Sequence, residues 1–201
     1  MERILLTGFE PFHNSALNPS QEIIKRISHR SLLAKEVLPV TFGESAKKLS
    51  ALIDLYQPTV VVSLGQAEGR KEITPERIAI NLDDARIPDN AGNSPKERAI
   101  VTGGPDAYFT TLPIKKLVER LVDNGIPSAI SLSAGTFVCN HIFYSMQHHC
   151  ASKDIKSGFI HLPLMDEQAS EFPGLPTMKI DELVRGIGLV LDVLGESTKL
   201  T

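Results

Sequence analysis

The chain lacks tryptophan, has two cysteines in 201 residues, and only 5% of its residues are aromatic. Two thiols cannot build the disulfide framework of a small secreted scaffold. No stretch approaches the roughly 18 consecutive apolar residues that a membrane-spanning helix needs. Charge of one sign is lacking as well. Lysine and arginine number 21 against 24 aspartates and glutamates, a net charge of −3 with the signs interspersed. That pattern excludes the basic footprint of a nucleic-acid binder and the polybasic helix of a membrane-surface protein. Several chemical signatures are missing too. There is no phosphate-binding loop, no dinucleotide-binding glycine motif and no G-x-S-x-G or G-x-C-x-G elbow. No cysteine or histidine pair has zinc spacing, and Asp83, Asp84 and Asp89 lack the alternation of a calcium loop.

What is present is a hydrophobic fraction of 42%, enough for a substantial core in a chain of this length. Apolar strand patterns alternate with helical ones. Residues 3–9, 34–42, 58–65, 127–133 and 157–164 read as strands, and 77–82 as a further strand-like run. Residues 19–30, 44–56, 114–125, 137–153 and 179–196 read as helices, the first with Asn18 as cap and Pro19 at its first position. This β-α-β-α order predicts one α/β domain over residues 1–201, a three-layer α/β/α sandwich with a mainly parallel, twisted sheet. The rhythm breaks between residues 66 and 113, rich in Gly, Pro, Asp and Asn, and an irregular segment of that length points to function. In a parallel sheet a site belongs at the carboxyl ends of the strands, here after Leu6, Leu64, Ser133 and Ile160. The opening MERILLTGFEPF has no long apolar region or cleavage site of a signal peptide, so the expected setting is cytoplasmic.

Cys139 begins a helix directly after the turn AGT. Unpaired N–H groups and the helix dipole there favour a thiolate and a developing oxyanion, which suits a nucleophile. A small buried hydrophobe is the alternative. Cys150 is no disulfide partner: eleven helical residues separate the two by roughly 16 Å, against a limit of about 7 Å. A thiol nucleophile needs a base. His141, two residues on, faces another side of the helix. His148 and His149 lie further along, and His29 falls at a helix end. His13 and His161 remain, and His161 ends the strand that follows the cysteine helix. The carboxylate that would orient the imidazole is open among Glu68, Glu72, Glu76, Asp83, Asp84 and Asp89.

The segments LLTGFEPF followed by NPS, ITPERIAINLDDARIPDN, SLSAGTFVCN and GFIHLP together resemble the motifs of the pyrrolidone-carboxylate peptidases, or type I pyroglutamyl peptidases. They occur in that family's order and span residues 5–163. The resemblance implies a cysteine peptidase that removes N-terminal pyroglutamate from peptides through a Cys-His-Glu triad and a thioester acyl-enzyme. It places the nucleophile at Cys139, the base at His161 and the carboxylate at Glu76. It places Arg86 near the nucleophile and the substrate pocket at Phe9, Phe12, Gln66, Ile87, Phe137 and Val138. It also implies a homotetramer with no metal or organic cofactor. Two departures stand out: Glu68 in GQAEGR, where the family has a small residue, and His13-Asn14, where it has two glycines. The rival readings are an amidase-like cysteine hydrolase, against which the missing elbow counts, and a binding domain on the same fold, whose mark would be a broken triad.

Overall fold

The computed structural model describes residues 2–13 and 15–196. Its strands are β1 (Ile4–Phe9), β2 (Leu33–Leu38), β3 (Val60–Gln66), β4 (Thr74–Pro75), β5 (Ile78–Ile80), β6 (Ala107–Phe109), β7 (Lys156–Leu162), β8 (Leu164–Met165) and β9 (Thr177–Met178). Its helices are α1 (Pro19–Arg26), α2 (Glu44–Tyr56), α3 (Ile114–Asp123), α4 (Val138–Cys150) and α5 (Ile180–Gly195). The main sheet has the order β2-β1-β3-β7-β4, parallel except for β4, which runs antiparallel to β7. This is the mainly parallel α/β sheet that the alternation predicts.

The β-branched composition of β3 explains its central place, since every residue from Val60 to Gln66 is buried. Strand periodicity then sorts the core. Ile4 and Leu6 of β1, Val60, Val62 and Leu64 of β3, and Ile160 and Leu162 of β7 pack with α1, α3 and α5. The alternate residues Leu5 and Phe9, Val61, and Phe159 pack with α2 and α4. Helices thus cover both faces. On the α2/α4 face the buried hydroxyls of Thr7 and Ser63 satisfy each other at 2.8 Å across β1 and β3.

Helix α1 begins as expected: Asn18 accepts the Ser20 N–H and Pro19 stands at the first position. A cap of this kind contributes about 1 kcal/mol. The helix stops at Arg26, however, so His29 lies beyond its end and is exposed.

One element differs in kind from the sequence reading. Residues 127–133 do not form a ladder strand. They touch β4 and its approach through two isolated parallel bridges, Ile73 to Ser128 and Glu76 to Ser131. Proline at 127 removes a donor, and β4 is only two residues long. The predicted strand at 34–42 also ends early, at Leu38 ahead of Pro39. Residues 77–82 do contain a strand, β5, but it pairs with β6 in a separate two-stranded sheet.

Candidate active site

Register places the histidine. Ser157, Phe159 and His161 alternate onto the α4 face of β7, and His161 pairs across the sheet with Gly65 of β3. His161 is also opposite Thr74 of β4. From β4 the chain continues directly to Glu76, whose backbone N–H donates to Phe159 O at 2.9 Å. The fully buried Glu76 therefore meets the imidazole, with Nδ1 of His161 at 2.7 Å from Oε1. Nδ1 is the donor there, which leaves Nε2 facing away from the carboxylate. Glu76 Oε2 is buried and accepts no hydrogen bond from the described residues.

Cys139 enters from α4. Gly135, with φ of 75°, turns the chain in a conformation that suits glycine, and Phe137 caps the helix in an extended conformation. The first helical hydrogen bond runs from the His141 N–H to Phe137 O. The N–H groups of Val138, Cys139 and Asn140 therefore have no acceptor among the described residues. Asn140, which sequence reasoning did not single out, fixes the helix start. Its side chain accepts the Ile80 N–H at 3.0 Å and donates to Ile80 O and Leu82 O at 2.9 and 3.0 Å. The thiol sits over β3, and a Cβ on Gly65 would stand 2.9 Å from Cys139 Sγ. Strand register thus brings thiol, imidazole and carboxylate to one place.

The electrostatics correct one expectation. The start of α4 was expected to favour a thiolate, yet burial pushes the Cys139 thiol up to about 12, and the negative charge of Glu76 adds to this. Arg70 opposes the rise but does not reverse it. Burial likewise holds His161 below its ordinary value of 6.5; the Glu76 hydrogen bond and charge work against that shift, and Arg70 works with it. Both shifts favour the uncharged forms, a thiol and a neutral imidazole.

Arg70 is a second residue that the motifs did not flag. Its guanidinium donates to Glu76 Oε1 at 2.7 Å, to Ser133 O at 3.0 Å and to the Thr74 hydroxyl. A lone arginine after a glycine turn carries no sequence signal for this; only the fold aims it. Gln168 is a third. Fully buried, it donates to Gln66 Oε1 at 2.9 Å and accepts the Met165 N–H.

Beside the thiol lies a small recess lined by Phe9, Phe12, Asn18, Val40, Gln66, Phe137, Val138 and Cys139. Its volume is about 20 Å³, room for about one water. Phe9 and Val138 are buried, whereas Phe12 and Phe137 are half-buried and stack obliquely at 6.3 Å. No carboxylate lines it. Asn18 is engaged, donating to Glu10 O and accepting from Ser20, but Gln66 Nε2 has no acceptor among the described residues. Ile87 is half-buried and does not line the recess. Arg86 is exposed and makes no hydrogen bond or ion pair among the described residues. A larger surface depression around Arg30, Leu32 and Asp192 is lined by neither cysteine nor histidine.

Three other histidines are engaged elsewhere. His141 Nδ1 bonds Asp83 at 3.0 Å, and its Nε2 accepts the Gly43 N–H at 3.1 Å. His148 bonds the Tyr108 hydroxyl, and His149 bonds Lys153. Asp83 also pairs with Arg98, and Asp89 accepts the Phe42, Ala91 and Asn93 N–H groups. Glu68 is an exposed turn residue next to Gly69, and it is Gly69 that carries the positive φ. His13 itself has a positive φ of 56°; Asn14 lies outside the described residues. Cys150 is buried and unbonded to Cys139.

The family model described as pyroglutamyl peptidase matches residues 2–196. A pyrrolidone-carboxylate peptidase of Vibrio parahaemolyticus is 48% identical over 198 residues, covering 96% of this chain and 93% of the relative. One of Bacillus mycoides is 44% identical, covering 98% and 94%. Among solved structures, the pyroglutamyl peptidase I of Bacillus amyloliquefaciens superposes with a TM-score of 0.90 at 42% identity, covering 94% of this chain and 92% of that one. A mutant pyrrolidone carboxyl peptidase from P. furiosus gives a TM-score of 0.92 at 38% identity, covering 97% and 99%. With the match running through all four motifs and the site they build, the chain belongs to the pyroglutamyl peptidase family of cysteine peptidases.

Proposed function

We propose that this chain hydrolyses the amide bond after an N-terminal pyroglutamyl residue, with Cys139 as nucleophile, His161 as base and Glu76 as the orienting carboxylate. The observation that carries the reading is the buried 2.7 Å bond from His161 Nδ1 to Glu76 Oε1, with the Cys139 thiol over Gly65, the residue that pairs with His161 across the sheet. Because the thiol rests protonated, it gives its proton to His161 Nε2 as sulfur attacks the lactam residue's exocyclic carbonyl. The Cys139 N–H receives the oxyanion, with Arg86 reaching in from the surface as the family resemblance implies. The C–N bond breaks as imidazolium protonates the leaving amine. Water, deprotonated by His161, then cleaves the thioester and restores the thiol.

Substrate choice follows from the recess. A pyroglutamyl lactam is neutral, and a free N-terminus would bring an ammonium to an apolar wall with no carboxylate to pair it. Phe12 and Phe137, the half-buried pair, part to admit the ring, while Gln66 Nε2 donates to a lactam oxygen. Ile87 is assigned to the outer rim. The active species in this reading is a homotetramer of one-domain chains, working without metal or cofactor in the cytoplasm, where both thiols stay reduced.

The test is release of a fluorescent amine from a pyroglutamyl amide under reducing conditions, beside Cys139→Ser, with light scattering for the assembly. Cleavage by wild type alone, with a prolyl analogue untouched, is the expected result. A folded, reduced and inert wild type would overturn the reading.

A further inference from the structure

The triad carboxylate does not act on the histidine alone. Oε1 of Glu76, the oxygen bonded to His161 Nδ1, also accepts from Arg70. The turn Ala67–Arg70, closed by the Arg70 N–H to Ala67 O and bent at Gly69 with φ of 81°, returns the guanidinium under the site. The other arm of the guanidinium binds Ser133 O, in the turn that leads to the Cys139 helix. Glu76 is fully buried, and Arg70 is its only ion-pair partner besides the imidazole among the described residues. A buried carboxylate left to one neutral imidazole carries a large desolvation cost, and a guanidinium fork offsets it.

We propose that Arg70 is a positioning residue of the reaction: by sharing Glu76 Oε1 it limits the carboxylate's hold on the His161 proton, and by holding Ser133 it fixes the nucleophile's turn against the base. The inference rests on the catalytic roles proposed above for Cys139, His161 and Glu76. Its physical content is a balance of charge. The charged groups acting on the imidazole are Glu76 and Arg70, and both act on the Cys139 thiol as well. Glu76 alone would favour imidazolium, which is useless as a base. Burial works against that charge, and the guanidinium adds to burial in keeping the ring neutral while leaving Nδ1 oriented. The planar fork matters separately, because one cation must reach two acceptors on different segments.

The experiment is an NMR titration of the His161 ring in wild type, Arg70→Met and Arg70→Lys, with kcat and KM for a pyroglutamyl amide measured across the same pH range. Arg70→Met should raise the His161 midpoint by about one pH unit, as expected for loss of a nearby like charge. The acid limb of kcat/KM should move with it, and kcat should fall at least about tenfold with KM little changed. Arg70→Lys should restore the midpoint but not the full kcat, since charge returns without the fork. An unshifted His161 midpoint in Arg70→Met overturns the proposal, whether or not the enzyme cleaves. If Arg70→Met fails to fold, Arg70→Lys decides: a wild-type kcat there refutes the fork's role. An inert wild type whose His161 midpoint still shifts in Arg70→Met refutes the peptidase reading and leaves the charge balance standing.

Discussion

Gly65 lies directly under Cys139. A Cβ on it would stand 2.9 Å from the thiol sulfur and 2.7 Å from the edge of the Phe159 ring. The missing side chain is what lets the α4 terminus approach β3 beside His161, its partner across the sheet. Gly65→Ala should therefore move the sulfur while leaving the fold intact. The expected outcome is a loss of kcat of about a hundredfold, the scale of an ångström-sized misplacement. Steady-state kinetics with a melting curve checks it; wild-type kcat in a folded variant would refute the geometry.

The pH profile follows from the buried pair. In the proposed mechanism only a neutral His161 takes the thiol proton, and burial holds its midpoint below 6.5. The kcat/KM should fall on the acid side with a midpoint below that value. It should stay level through pH 9, because the thiol does not ionise until about 12. An alkaline limb near the free-cysteine value would contradict the burial.

The same shift is a statement about stability. The native thiol keeps its proton to about 12, whereas an unfolded one loses it near its ordinary value of 9.0. Below pH 9 both states are protonated and the group contributes nothing; above it the unfolded state binds fewer protons, so stability falls as pH rises. Cys139→Ala should flatten this decline between pH 9 and 11 in urea melts, and parallel curves for the two proteins would count against it.

Asn140 binds three backbone groups of the Ile80–Leu82 segment and is itself buried. Asn140→Ala leaves the Ile80 N–H and Leu82 O without a partner, while Ile80 O keeps the Leu82 N–H. The expected cost is about 1–3 kcal/mol, read as a lowered urea midpoint, with kcat reduced because the Cys139 turn loses its anchor. A change under about 0.5 kcal/mol would show that water replaces the amide.

His13 holds a positive φ where the family resemblance implies glycine. An L-residue pays about 1–2 kcal/mol there, partly offset by the extra unfolded-state freedom of glycine. His13→Gly should raise the melting temperature slightly; a fall would mean that the imidazole contributes more than the strain removes.

Much of this protein was settled by local chemistry. The β-branched run at 60–62, the Asn18-Pro19 start and the spacing of Leu49 and Ile53 are signals that each segment carries by itself, so the α/β alternation and its mainly parallel sheet were readable. So was the set of motif residues, including Cys139, His161 and Glu76. The segment 127–133 was misread because its apolar alternation is real but its partner β4 is two residues long, and a ladder needs two strands. The raised pKa of the Cys139 thiol was not legible for a related reason. A helix terminus is visible in sequence, whereas desolvation depends on what packs around it from β3, β7 and β4. Arg70, Gln168 and Asn140 had no local signal at all, since an arginine, a glutamine or an asparagine becomes a partner only when another segment arrives with the matching group. Sequence determined most of the elements and picked out the residues proposed to react. Tertiary structure decided their charge, their orientation and the neighbours that hold them, because these are properties of contacts between segments distant in the chain.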